Sequence, residues 1–115
     1  MSDSADCIFC RIVTGEIPGD VVHTTERTVA FRDLNPQAPT HVLVVPKDHY
    51  ANGADLAAAD PEAAAELLTA AKSVAEADGH DSYRMVFNTG ADAGQTVFHA
   101  HLHVLAGRVA GWPPG

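Results

Sequence analysis

Apolar positions recur along this chain with two different periods. Between Pro61 and Ala77, Leu67, Leu68, Ala71, Val74 and Ala75 return every three or four residues, the spacing of one helix face. Asp60 is a suitable N-cap, Pro61 fits the first turn, and Gly79 stands where a C-cap glycine would. The pattern predicts a long helix over about residues 61–77 and a shorter helical segment over Cys7–Val13. Elsewhere β-branched residues alternate with polar ones, which predicts strands at Asp20–Thr24, Thr28–Asp33, His41–Pro46, Tyr83–Asn88 and Val97–Leu105. The polar Thr25-Glu26 step suggests a hairpin between the first two. Asn35–Pro39 reads as a rigid connector before the third. The expected architecture is α+β: an antiparallel sheet of about five strands, one face covered by the long helix.

A length of 115 residues suits one domain over residues 1–115, and 46% hydrophobic content suits a folded core. The longest apolar stretches, such as Val42–Val45, are too short to cross a bilayer. The first residues, MSDSAD, show neither the basic nor the apolar part of an export signal, so a cytoplasmic location and no membrane partner are expected. A net charge of −8 argues against a nucleic-acid partner, which needs clustered Lys and Arg. It leaves room for a small phosphorylated substrate held by local donors.

The chemistry concentrates at the end of the chain. His99, His101 and His103 alternate with Ala100, Leu102 and Val104. On a strand the three imidazoles share one face, with neighbours about 7 Å apart along the backbone. Crowded imidazoles oppose one another's protonation, which makes a purely structural origin improbable. Two chemistries fit: metal ligation, or nucleophilic and acid–base catalysis near neutral pH. Upstream, the Asn88–Thr96 loop carries Gly90 and Gly94, and could cradle a phosphate with backbone N–H groups, Gln95 and Thr96. Cys7 and Cys10 have the C-x2-C spacing of half a zinc site, or are two small apolar residues of a short helix.

These motifs together resemble the histidine triad (HIT) family, in its Hint-like branch of the bacterial zinc-binding type. The match runs through CIFCRIVTGEIP, AFRDLNPQAPTHVLVVPKDH, NTGADAGQTVFHAHLHVLAGR and the terminal WPPG. Ala106 stands where a second glycine is common, and Thr96 where serine is common; neither removes a functional group the site needs.

The resemblance implies a HIT fold, paired into a homodimer, that binds a purine nucleotide and cleaves at the α-phosphorus. His101 would be the nucleophile, forming a nucleotidyl-histidine intermediate that water hydrolyses. His103 would contact the phosphate and assist the leaving group, and His41 would orient the nucleophile. Asn88, Gln95 and Thr96 would hold the phosphate side, and Asp33 the ribose hydroxyls. Phe9, Ile12, Ile17, Phe31 and Leu34 would enclose the base. The WPPG tail would reach the partner's site. A structural zinc on Cys7, Cys10, His49 and His99 is implied, and no catalytic metal. The leading expectation is a purine nucleoside phosphoramidate hydrolase. A dinucleoside polyphosphate hydrolase or nucleotidyltransferase, a non-catalytic nucleotide-binding scaffold and a three-histidine zinc enzyme are the alternatives.

Overall fold

The computed structural model describes residues 7–115; Met1–Asp6, in which no export signal was read, lie outside the described residues. In chain order the elements are α1 (Ile8–Val13), β1 (Val21–Thr24), β2 (Thr28–Arg32), β3 (Thr40–Pro46), α2 (Gly53–Ala59), α3 (Pro61–Ala77), β4 (Tyr83–Val86) and β5 (Leu102–Ala106), with a 3-10 turn at Ala91–Ala93. The five strands form one antiparallel sheet in the order β1-β2-β3-β5-β4.

The long helix has the expected bounds and the expected signals. Asp60 Oδ1 accepts from the Ala63 N–H at 3.2 Å, Pro61 opens the helix, and Gly79 follows it with φ +86°. Leu67, Ala71, Val74 and Ala75 are buried against the sheet, whereas Leu68 is half-exposed on the flank. Their partners are Ala30, Val42, Val44, Leu102 and Val104, one face of the three central strands. The alanines let the helix lie close to the strands, and the fully buried Leu67 contributes about 2–3 kcal/mol of apolar burial. The opposite face carries Val29, Phe31, Leu43 and Val45 beneath α1, whose Phe9 meets Phe31 edge-on at 5.4 Å. Covered on both faces, β3 is buried along its whole length.

Polar clamps tie the helix to the sheet. Asp78, at the C-terminus of α3, accepts two bonds from Arg32 at 2.9 and 3.0 Å and a third from Thr40 Oγ1 at 2.8 Å. The Arg32 guanidinium, with Thr40, holds the Asp78 carboxyl below its ordinary range. Arg32 and Thr40 each neighbour a site residue, Asp33 and His41, so this clamp fixes the site's scaffold.

The structure shifts one end of α1, β1, β2 and β3 by a single residue and corrects the sequence reading more substantially in three places. A helix, α2, occupies Gly53–Ala59; Asn52 Oδ1 caps it by accepting from the Asp55 N–H at 2.8 Å, and Leu56 is its buried anchor. The fourth strand ends at Val86, not Asn88. The last strand runs Leu102–Ala106, not Val97–Leu105. Two facts account for its late start. Pro46, the end of β3, has no N–H to continue the ladder, and β4 stops at the Val86–His103 pair. Residues 97–101 therefore run alongside the sheet without joining it. Ala100, Leu102 and Val104 still face the α3 core, as the alternation requires. Among the described residues no helix is long and apolar enough to cross a membrane.

Candidate active site and metal centre

The triad histidines divide between two clusters. Cys7, Cys10, His49 and His99 converge so that one ligand atom from each lies within 4.8 Å of all the others. Cys7 is the N-cap of α1, its Sγ accepting from the Cys10 N–H at 3.3 Å, which points both sulfurs to one side. His49 lies just beyond β3 and His99 just before β5. His99 Nδ1 is 3.3 Å from Cys7 Sγ, 3.4 Å from Cys10 Sγ and 3.2 Å from His49 Nδ1.

The donor chemistry suits a structural zinc. His99 Nε2–H donates to the Pro46 carbonyl at 2.9 Å, so the lone pair on Nδ1 faces the cluster. Burial holds the His99 pKa down to about 4, with only that carbonyl opposing, so the ring stays neutral. Burial, and the contact with Cys7, pushes the Cys10 thiol up to about 12, so ionisation at neutral pH requires a cation beside it. Tetrahedral zinc places sulfur and nitrogen ligands about 3.4–3.8 Å apart, within a few tenths of the distances found. Two cysteines and two histidines close the coordination shell, as in structural sites.

A second cluster, Asp33, His41 and His103, has the same compactness but the wrong protonation for a metal. The Gln37 backbone N–H donates to His41 Nδ1 at 3.0 Å. An amide nitrogen can only donate, so Nδ1 holds the lone pair and the neutral ring carries its proton on Nε2. That Nε2–H lies 2.9 Å from His103 Nδ1 and 3.5 Å from Asp33 Oδ2. A metal there would strip His41 of its only proton. Ligating imidazoles instead donate their second N–H to an acceptor.

The same reasoning assigns the neighbouring rings. His103 accepts at Nδ1, so in its neutral form it carries a proton on Nε2. His101 Nδ1 lies 2.7 Å from the His99 carbonyl, which only accepts; Nδ1 is protonated and Nε2 keeps its lone pair. The two rings, with centroids 5.0 Å apart, thus hold opposite polarity: one Nε2 with a lone pair, the other with a proton. Burial, reinforced by His101 and His41, lowers the His103 pKa to about 4. Burial likewise lowers His41, against the opposing pull of Asp33, with Arg108 adding to the decrease. Phe9 meets both His99 and His101, and His101 meets His103, so the three rings adjoin one another in space, but their environments differ.

A cavity of about 260 Å³ opens beside His101 and His103. Of the residues assigned to substrate, Phe9, Ile12, Phe31, Asp33, Leu34 and Thr96 line it. Phe9 also packs edge-on against His101 at 5.1 Å, and Leu34 is 97% exposed at the rim. Ile17, Asn88 and Gln95 are not in its wall. Gln95 is 3% exposed, and its amide is committed to the loop: Oε1 accepts from the Gly90 N–H at 2.9 Å, and Nε2 donates to the carbonyls of Ala51 and Val97 at 2.7 and 3.0 Å. It braces the loop. Sequence reasoning missed Ile8, Pro18, Gly19, Asp20, Arg32, Leu43 and Val97 as wall residues. Leu43 was within reach, since it shares a strand face with His41. A larger surface groove, about 830 Å³, runs along β4 and residues 107–110 but touches none of the triad. Of the two, the smaller cavity is the one that His101 and His103 line.

The chain is similar to known proteins in sequence and in fold. The HIT domain matches residues 14–110. A 14 kDa zinc-binding protein of Zea mays is 45% identical, over 98% of this chain and 91% of its own. A purine nucleoside phosphoramidase of Escherichia coli strain K12 is 40% identical, over 92% of this chain and 91% of its own. The crystal structure of a HIT family hydrolase from Legionella pneumophila superposes with a TM-score of 0.90 at 48% identity, covering 96% of this chain and all of that one. By fold, sequence and the arrangement of its histidines, the chain belongs to the HIT domain family.

Proposed function

We propose that this HIT protein is a hydrolase of purine nucleoside phosphoramidates that works through a nucleotidyl intermediate on His101. The observation that carries this is the opposite polarity of the His101 and His103 rings at one cavity. His101 Nε2 attacks the α-phosphorus and forms a P–N bond as the bond to the leaving amine breaks. His103 Nε2–H gives its proton to that amine. The positive charge on the substituted His101 ring balances the charge left on His103, which the His41 N–H also meets. Water then adds its oxygen to phosphorus, returns a proton to His103 and frees His101. Asp33 would accept from ribose hydroxyls, and Phe9, Ile12, Phe31 and Leu34, which line the same cavity, would enclose the base. Thr96 would bind the phosphate; Asn88 and Gln95 would serve through the loop. The E. coli relative supports this substrate class over dinucleoside polyphosphates.

Cys7, Cys10, His49 and His99 would hold structural zinc, a reading the maize relative supports. The exposed edge of β4, with Met85 and Phe87 half-exposed nearby, and the 84% exposed Trp112 support pairing of two copies. The decisive experiment compares wild type with His101→Asn on an adenosine phosphoramidate. Turnover should vanish in the variant while nucleotide binding, measured by calorimetry, persists. Wild-type turnover by the variant would overturn the nucleophile assignment.

A further inference from the structure

His41 is held from behind by a chain of contacts that begins outside the cavity. Arg108, in the exposed segment after β5, donates from Nε to the Gln37 carbonyl at 2.9 Å. Gln37 also donates from its side-chain Nε2 to the Asn35 carbonyl at 3.0 Å, and its backbone N–H reaches His41 Nδ1 at 3.0 Å. Gly107 sets the reach of the arginine. It turns the chain with φ +94°, and an added Cβ would lie 2.9 Å from Pro39 Cβ. The turn therefore packs tightly on the same connector that carries Gln37. Four links run in series: Arg108 to the Gln37 carbonyl, the Gln37 N–H to His41, His41 to His103, and His103 to the cavity.

We propose that Arg108 is a positioning residue for leaving-group protonation: by fixing the Gln37 main chain it sets the His41 tautomer, and so the direction in which His103 offers its proton. Without the Gln37 N–H, His41 could carry its proton on Nδ1 and accept from His103. The His103 proton would then sit on Nδ1, turned away from substrate, and its Nε2 would face the cavity as a lone pair. His101 is independent of this chain, because the His99 carbonyl sets its tautomer. The arginine should thus matter for the departing group and not for the attack. This rests on the phosphoramidate reading above.

The test pairs two substrates with wild type, Arg108→Ala and Arg108→Lys. One is an adenosine phosphoramidate of an alkylamine, which must be protonated to leave. The other is the 4-nitrophenyl ester of AMP, whose phenolate leaves without a proton. In Arg108→Ala, kcat on the phosphoramidate should fall about tenfold, part of the usual worth of a general acid. The kcat on the ester and both KM values should stay within about twofold, and lysine should restore part of the loss. The ¹⁵N resonances of the His41 ring should report an Nε2–H tautomer in wild type and a mixture in Arg108→Ala. An equal fall on both substrates, or no fall with an unchanged tautomer, overturns the positioning role. Wild-type protein inert towards both substrates overturns the functional reading itself.

Discussion

Removing zinc should loosen the cavity beside His101 and His103 before it touches the proposed chemistry. The four ligands join α1 to His49 and His99, which lie 39 and 89 residues from Cys10 in sequence. A helix of six residues has no stability of its own, so α1 depends on its anchors. Those are the buried Phe9 and the two cysteines. Zinc present at a thousand times its Kd would stabilise the fold by about 4 kcal/mol. For a domain of this size that is about 15 °C in Tm. Phe9, whose ring is 5.1 Å from His101 and 5.4 Å from Phe31, carries the loss into the cavity wall. Metal analysis of protein purified without added zinc should find about one ion per chain. A strong chelator, or Cys10→Ala, should lower Tm by about that amount. KM should rise more than kcat falls at temperatures where the fold persists. Protein isolated without zinc that takes none up, with a chelator-insensitive Tm, would refute the assignment. An immediate loss of kcat with KM unchanged would move the metal from scaffold to chemistry.

Further outcomes follow from two part-buried polar groups, Asp78 and His103. Asp78→Ala removes three bonds at the end of α3 and should cost about 1–3 kcal/mol in urea unfolding, since the partly exposed Arg32 pair is screened; an unchanged midpoint would show that the clamp is dispensable. Because the Asp78 carboxyl is held below its ordinary range, its contribution is present above about pH 4 and is lost as pH falls through its folded value. His103 acts in a higher window. Its folded pKa is about 4 against 6.5 for the free side chain, so below pH 6.5 the unfolded chain takes up a proton the native state refuses. Stability should decline between pH 6.5 and 4, by up to about 3 kcal/mol for this ring, and His103→Asn should flatten the decline. Equal pH slopes for the two proteins would sink that assignment.

Local signals in the sequence carried the framework. The long helix was legible to the residue because Asp60, Pro61 and Gly79 act within one turn of its ends. The pairing of β1 with β2 followed from a short polar turn. What escaped depended on distant partners. The start of β5 is decided by the missing N–H of Pro46 and the end of β4, neither of which is visible in the alternation of residues 97–105. The helix α2 is only seven residues long, and its single buried anchor, Leu56, leaves no period to detect. In the site, Cys7 and Cys10 were visible as a pair, but His49 and His99 joined them only through the family resemblance. The Gln37 N–H and the His99 carbonyl, which set the ring tautomers, belong to the backbone and leave no trace in residue type. Gln95 looked like a phosphate ligand by its place in the loop; the fold uses its amide as an internal brace.

The late start of β5 has a chemical consequence. β5 lies between β3 and β4, so any residue inside its ladder would spend its carbonyl on a neighbouring strand. Had the strand begun at Val97, the His99 carbonyl would have been a lattice bond and His101 would have lost the acceptor that fixes its proton. By stopping the lattice short of His101, the fold leaves the His99 carbonyl free to accept from His101 Nδ1–H. That oxygen holds the His101 ring as a carboxylate holds the imidazole of a serine–histidine–aspartate triad. The orientation of the His101 ring is thus a property of where regular structure ends, and an insertion that completed the sheet would release that ring without changing any side chain around it.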